Sequence, residues 1–349
     1  TDQKGSMEIE EKLDGDTITI RAKFNENIIG KDRENKFTVK YKTKDIATKI
    51  GGIYNVKIPA VSDLDIVREY DVRLLVPTSF GPNIFIAPEP NKYDEENYKY
   101  VYIYKKQDLE NRGISGSFGK YQVLNYKLVY QLENDASVSN IHEIVLPPDI
   151  KERQQVNHRE LTPRPYRVYE DADGNLIARY ILKPKERLNV TLIGSARIMG
   201  KKINPQLGGP FSRLPKDLVE NYTAKQIYWE TDHPDIQSLK NKLYDPDLNV
   251  SMNALQIYNY LVDEYKYDFE AIEKDYLDRY GAVKALNKEV PTACMEFTDM
   301  FIALARSMGI PARELDGYAV NVFQNKNLPL SIRLKSGDFL HAWPEFYDP

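Results

Sequence analysis

The chain has 349 residues, and 42% of them are hydrophobic, which is enough for two or three domains with separate cores. Its formal net charge of -4 gives no basic surface of the kind that binds nucleic acid, and no apolar run approaches the roughly 20 residues that span a bilayer. The single cysteine, Cys294, excludes an intrachain disulfide and a zinc site built from several cysteines. We expect no nucleic-acid partner, no membrane segment in this chain, no metal and no cofactor.

Residues 7–204 are predicted to be β structure. MEIEEKL, Asp14-Gly15 and DTITIRAKF form two alternating runs around a two-residue turn, the pattern of a β-hairpin. Similar short runs follow, separated by turn residues at intervals typical of β-sandwiches. We predict two β-sandwich-like domains, residues 7–115 and 116–204, with the boundary in the polar stretch 110–120.

Two motifs in this β region could suggest binding, but a structural interpretation is favoured for each. EDADGN at 170–175 resembles a calcium loop, yet its glycine comes too early for an EF-hand, so we predict a hairpin turn. Tyrosines alternate along YKYVYIY at 98–104, and we interpret them as packing residues rather than as a stacking surface for a ligand.

Helical spacing replaces alternation after about residue 205. LPKDLVENYTAKQIYW at 214–229 has an early proline, and SMNALQIYNYLVDEYKYD at 251–268 places apolar residues on one helix face behind Ser251, a candidate N-cap. We therefore predict a third domain, residues 205–349, that begins with helices.

Cys294 lies just ahead of a strongly amphipathic segment. Apolar residues recur at helical spacing from Phe297 to Met308, with Thr292 as a candidate N-cap and Gly309 as a candidate C-terminal cap. The first turn of a helix favours the reactive thiolate, because unpaired amides and the positive end of the helix dipole lie there. From these residues alone, Cys294 is either a nucleophile or a small buried packing residue.

A cysteine nucleophile needs a base, and the chain has four histidines. His341 lies in DFLHAWPEFYDP, whose alternation predicts a strand with His341 and Trp343 on one face and Ala342 on the other. The other three are interpreted as structural: His142, His158 and His233.

The segment CMEFTDMFIALARSMGIPARELDGY, followed by HAWPEFY, resembles the core of the transglutaminase-like superfamily. In that family a cysteine opens a helix that ends in GIPAR, a strand follows, and a histidine lies in an HAWxE strand. The resemblance covers residues 250–349 and loosely the helices from about 214. It implies an α+β fold in which N-terminal β-sandwich-like domains, as in prokaryotic members, precede a transglutaminase-like, papain-like core.

The resemblance implies a Cys–His mechanism. Cys294 would attack a carboxamide or peptide carbonyl, and His341 would take the thiol proton and later protonate the leaving amine. The thioester would be resolved by a primary amine, giving acyl transfer, or by water, giving hydrolysis. Backbone N–H groups at the helix start would stabilise the oxyanion. We therefore expect an accessible, activated thiol and a protein or peptide substrate.

Three further residues are candidates for site support: Glu296, Arg313 and Trp343. We interpret Arg313 as bracing its strand through ion pairing or carbonyl contacts, and Glu296 as complementing the helix dipole. Trp343 either walls the site or packs beneath the strand. Ala293 stands where many relatives carry glycine, which narrows the approach to the thiol.

The family's third catalytic residue, an aspartate on a later strand, has no counterpart in this sequence. Glu345 lies about 13 Å from His341 along a strand, and Asp348 faces the other side. We expect the parent protein to continue past Pro349 into a strand with an aspartate within about 15–20 residues of His341, so that the third domain is C-terminally incomplete.

Two classes of function stay open. One is a cysteine enzyme, either an acyltransferase or a peptidase or amidase, and the other is a non-catalytic surface, adhesion or scaffold protein that retains the fold. A peptide-N-glycanase-like activity is disfavoured, because the paired cysteines of that family's zinc site are absent. The sequence determines neither substrate nor compartment nor oligomeric state, and an extracytoplasmic or cell-surface location is a working hypothesis.

Overall fold

A computed structural model describes residues 1–14, 17–26, 30, 34, 36–44, 46–61, 63–109, 112–200, 203–268, 278–318, 332–333 and 339–349. The strands are β1 Glu8–Asp14, β2 Thr17–Lys23, β3 Ala47–Ile50, β4 Ile53–Ile58, β5 Val72–Pro77, β6 Asn83–Ala87, β7 Lys92–Glu96, β8 Lys99–Tyr104, β9 Ile114–Gly119, β10 Tyr121–Glu133, β11 Asn140–Leu146, β12 Gln154–Thr162, β13 Arg167–Glu170, β14 Leu176–Leu182, β15 Arg187–Met199, β16 Ala312–Tyr318, β17 Ile332–Arg333 and β18 Phe339–Phe346. The α-helices are α1 Lys216–Tyr222, α2 Pro234–Leu243, α3 Val250–Glu264, α4 Ala282–Leu286 and α5 Cys294–Ser307. Strands outweigh helices in the described part, so the β-rich N-terminal region fits the prediction and the α+β label is approximate.

The chain divides into two compact units, Thr1–Ala47 and Thr48–Pro349. In the first unit β1 and β2 pair antiparallel from Glu8 opposite Lys23 to Asp14 opposite Thr17, which confirms the predicted hairpin. The rings of Phe24 and Phe37 pack edge to face, with centroids 5.6 Å apart.

The second unit begins with two sets of strands, in the orders β3-β4-β9-β6 and β5-β8-β7. The rings of Tyr100 and Tyr102 on β8 pack against Phe118 on β9. Tyr102 and Tyr104 are 1% and 0% exposed, which confirms the packing interpretation for them, whereas Tyr98 lies in a turn and is 87% exposed. Strand β9 pairs with β4 and β6, so residues 116–119 belong to the sheet of the preceding strands. The predicted domain boundaries stay predictions.

A second pair of sheets follows, with the orders β10-β15-β12 and β11-β14-β13. Alternating residues enclose an apolar core: Leu128, Ile144, Leu146, Ala178, Tyr180, Leu182, Val190 and Leu192. β13 and β14 pair antiparallel on either side of EDADGN, as predicted. The Asp171 carboxylate accepts from the backbone N–H groups of Asp173 and Asn175 at 2.9 and 2.8 Å. These bonds fix a hairpin turn rather than an ion-binding loop.

The helical region packs around α5, which contacts α2, α3, α4, β16 and β18. Its core includes the fully buried residues Ile236, Ile257, Met300, Ile302, Leu304 and Ile310. The predicted helix over 214–229 is only Lys216–Tyr222. The N-cap of α3 is Asn249 rather than Ser251, because the Asn249 side chain accepts the N–H of Met252 at 2.7 Å.

No helix in the described part of the chain has the length and apolar character needed to cross a membrane.

Candidate active site

Cys294 is the first residue of α5, as the sequence predicts. The cap residue is Ala293 rather than Thr292. Alanine has no capping side chain, but the Glu296 carboxylate accepts the Ala293 N–H at 2.9 Å, which is the second hydrogen bond of a capping box. At the other end Gly309 has a φ of 82° and its N–H bonds the Arg306 carbonyl, which confirms the predicted cap.

The thiol of Cys294 is covered in this conformation. Cys294 is 4% exposed and packs with Ala293, Ala342 and Tyr267. The Cys294 N–H donates to the Tyr267 hydroxyl at 3.2 Å, and the tyrosine ring stacks on Phe297 with centroids 6.1 Å apart. Burial, and then the neighbouring Cys294, raise the pKa of Tyr267. The prediction of an accessible thiol is therefore wrong for this conformation, because Tyr267 and Ala342 exclude solvent.

His341 lies on β18, as predicted, one residue before Ala342. Since side chains alternate along a strand, Ala342 faces Cys294 while His341 shares the other face with Trp343. The described residues show no hydrogen bond between Cys294 and His341. Burial lowers the pKa of His341, so its imidazole is neutral at neutral pH, the form a general base needs.

The buried Nδ1 of His341 has no hydrogen-bond partner among the described residues. The two acidic residues that follow His341 in the sequence are bound elsewhere. Glu345 Oε1 accepts from Arg313 Nε at 2.8 Å, and Asp348 Oδ1 accepts the Gly209 N–H at 2.9 Å. Neither orients the imidazole, and the third residue expected past Pro349 stays a prediction.

Arg313 joins two parts of the second unit. Arg313 forms an ion pair with Glu345, and its Nη1 donates to the backbone carbonyl of Asp173 at 2.7 Å. The Asp173 carboxylate accepts from the Tyr222 hydroxyl. The turn between β13 and β14 is thereby attached to β16 and α1.

A buried charge cluster lies between α5 and β16, and it was not predicted from the sequence. Asp299 is 0% exposed, and Arg279 Nη2 donates to both Asp299 and Glu314 at 2.5 and 2.6 Å. Trp229 Nε1 also donates to Asp299, at 2.8 Å. Burial raises the pKa of both carboxyls, and Arg279 opposes that rise. The cluster connects α5 to β16. In the sequence, the only indication of it was Asp299, an aspartate within the amphipathic segment that forms the mostly buried helix α5.

In the described part of the chain, no three His, Cys, Asp or Glu side chains are arranged to hold a metal ion.

Residues 237–349 match the family model of the transglutaminase-like superfamily. This segment is transglutaminase-like. The match confirms the resemblance seen in the Cys294 helix, GIPAR and the His341 strand. A search of the curated proteins found no match.

Among solved structures, the chain is similar to a candidate cysteine protease from Cytophaga hutchinsonii, with 18% identity and a TM-score of 0.46. The alignment covers 65% of this chain and 75% of that chain.

Proposed function

We propose that the transglutaminase-like segment catalyses cysteine-dependent acyl transfer or hydrolysis on carboxamide or peptide carbonyls of proteins. The observation that carries this proposal is the position of Cys294: it opens α5, and Ala342, the neighbour of His341, packs against it. A thiol in the first turn of a helix, next to a histidine strand, has the elements of a cysteine nucleophile and its base.

In the proposed reaction, His341 takes the proton of the Cys294 thiol and the thiolate attacks the carbonyl carbon. The C–N bond of the tetrahedral intermediate then breaks, and the leaving amine receives the proton from His341. A thioester remains on Cys294. A primary amine or water attacks it, giving a new amide or an acid and restoring the thiol.

The Tyr267 hydroxyl identifies the candidate oxyanion position. Its oxygen accepts from the Cys294 N–H at 3.2 Å, and a developing oxyanion would need the same donor. Substrate binding would therefore require the Tyr267 hydroxyl to leave this donor and its ring to uncover the thiol. A Cys294–His341 hydrogen bond would in addition require β18 to turn the imidazole toward the thiol, because Ala342 rather than His341 faces Cys294 in this conformation.

The proposal is tested by incubating the protein with a glutamine-containing protein, with and without a primary amine, and analysing the products by mass spectrometry. Incorporation of the amine indicates a transglutaminase, deamidation without amine indicates an amidase, and chain cleavage indicates a peptidase. Cys294→Ser should abolish whichever product forms. The same product in wild type and Cys294→Ser, or no product in any condition, would contradict the enzyme proposal.

A non-catalytic scaffold is the second candidate, and two observations favour it. Cys294 is 4% exposed, and His341 Nδ1 is buried with no partner in the described residues. If the protein is a scaffold, iodoacetamide should fail to alkylate native Cys294 at any pH up to about 8.5, the pKa of a free thiol. If the protein is an enzyme, iodoacetamide should alkylate Cys294, and His341→Ala should slow this alkylation near neutral pH.

A further inference from the structure

Gly317 is the residue directly opposite His341 in the β16–β18 pair. Its φ lies outside the left-handed region, so the backbone at this position does not require glycine. The reason is steric. A Cβ at position 317 would lie 2.7 Å from Cη2 and 3.2 Å from Cζ3 of Trp343, closer than side-chain contacts allow.

The Trp343 ring occupies the space where a side chain at position 317 would lie, and it also contacts His341. The two side chains lie on one face of β18, two residues apart, and their rings stack with centroids 6.0 Å apart at an interplanar angle of 28°. Trp343 is 37% exposed, so the indole covers the imidazole on one side while its own outer part meets solvent. A side chain at position 317 would push the indole away from this position.

We propose that Gly317 is a positioning residue: its bare backbone lets the indole of Trp343 lie beside His341 and hold the plane of the imidazole. The inference rests on the proposed function of His341 as the base. Rotation about χ2 is broad for histidine, so an aromatic neighbour restricts the ring where no hydrogen bond from the described residues to Nδ1 does so.

The charged side chains described on this face do not provide an alternative restraint. Glu345 and Arg313 lie on the same face of the sheet but pair with each other at 2.8 Å. Burial is the cause that lowers the pKa of His341, and the indole contributes to that burial. Displacing the indole should therefore raise the pKa of His341 as well as loosen its ring.

The test is an NMR titration of His341 in the full chain, with its signal assigned through His341→Asn. We expect Gly317→Ala and Trp343→Leu each to raise the pKa of His341 toward the ordinary value of about 6.5. The double variant should titrate like Trp343→Leu alone, because Gly317→Ala acts only by displacing the indole. Gly116→Ala, at another strand glycine, in β9, is the matched control and should leave the titration unchanged.

An unchanged pKa in Gly317→Ala, or an equal shift in the presence and absence of Trp343, would overturn the inference. If circular dichroism shows that Gly317→Ala does not fold, the test rests on Trp343→Leu. An unchanged pKa of His341 in Trp343→Leu would then overturn the inference. The titration needs no reactive thiol. An inert Cys294 together with the expected pKa shifts would therefore refute the proposed function while retaining the positioning effect of Gly317.

Discussion

Replacing Arg279 by methionine tests the buried charge cluster between α5 and β16. The change removes the cation but retains an apolar side chain of similar length, and it leaves Asp299 and Glu314 without their shared partner. Asp299 is 0% exposed and the Glu314 side chain 12% exposed, so water cannot solvate them well. Breaking a buried ion pair by removing one partner costs about 3–5 kcal/mol. We expect a loss of this size in the free energy of unfolding at neutral pH.

The loss should depend on pH in a defined direction. Burial already raises the pKa of Asp299 and Glu314 above their ordinary values. A carboxyl whose folded pKa is raised stabilises the fold most below its unfolded pKa, and that contribution is lost as pH rises through the folded pKa. Without Arg279 both pKa values rise further, so Arg279→Met should cost more stability at pH 7 than near pH 4, where protonation removes part of the unpaired negative charge.

Urea unfolding followed by tryptophan fluorescence measures this effect. The chain has two tryptophans, Trp229 and Trp343, and both report on the helical and transglutaminase-like region. Lys225→Met is the matched control, because its ion pair with Asp232 is exposed and should contribute little. Equal midpoints for Arg279→Met and Lys225→Met, or a larger loss near pH 4 than at pH 7, would refute the reasoning.

Three further predictions concern the thiol, its base and the domain. Tyr267→Ala should speed iodoacetamide alkylation of Cys294, because the tyrosine packs against Cys294, which is 4% exposed. An unchanged rate in Tyr267→Ala would show that another group blocks access to the thiol. Burial lowers the pKa of His341, so the acid limb of the pH–rate profile for acylation should have an apparent pKa below the ordinary histidine value of about 6.5. An apparent pKa above that value would exclude His341 as the base. A fragment of residues 205–349 should fold with a cooperative urea transition, because the described residues of its apolar core all lie between 211 and 346. A non-cooperative transition would show that the β-rich region completes the core.

The strongest predictions from the sequence came from local, periodic signals. The α5 stripe, Gly309 and the alternation around His341 each specify structure within a few residues, and each predicted element is present. Caps were less certain because several polar residues compete near a helix start. At α5 the helix starts one residue later than a Thr292 cap would place it, and the buried carboxylate of Glu296 accepts the N–H of the cap residue Ala293.

Long-range contacts were beyond prediction from one sequence. Tyr267 lies in the segment after α3 and meets Cys294 only through packing of the helices. The partners of Asp299 come from two different segments. Strand order also escaped prediction: β9 returns to pair between β4 and β6, a choice that turn residues near position 115 do not encode. Such contacts depend on tertiary packing, which periodicity does not specify.

The central claim is that Cys294 forms a thioester with the help of His341. The most direct measurement is intact-protein mass spectrometry after acid quenching of a reaction with a glutamine-containing peptide, followed by peptide mapping. The account predicts an acyl adduct on Cys294 in the wild type, none in Cys294→Ser and much less in His341→Asn. The absence of any adduct in both the wild type and Tyr267→Ala, where the thiol is uncovered, would contradict the claim and favour the scaffold.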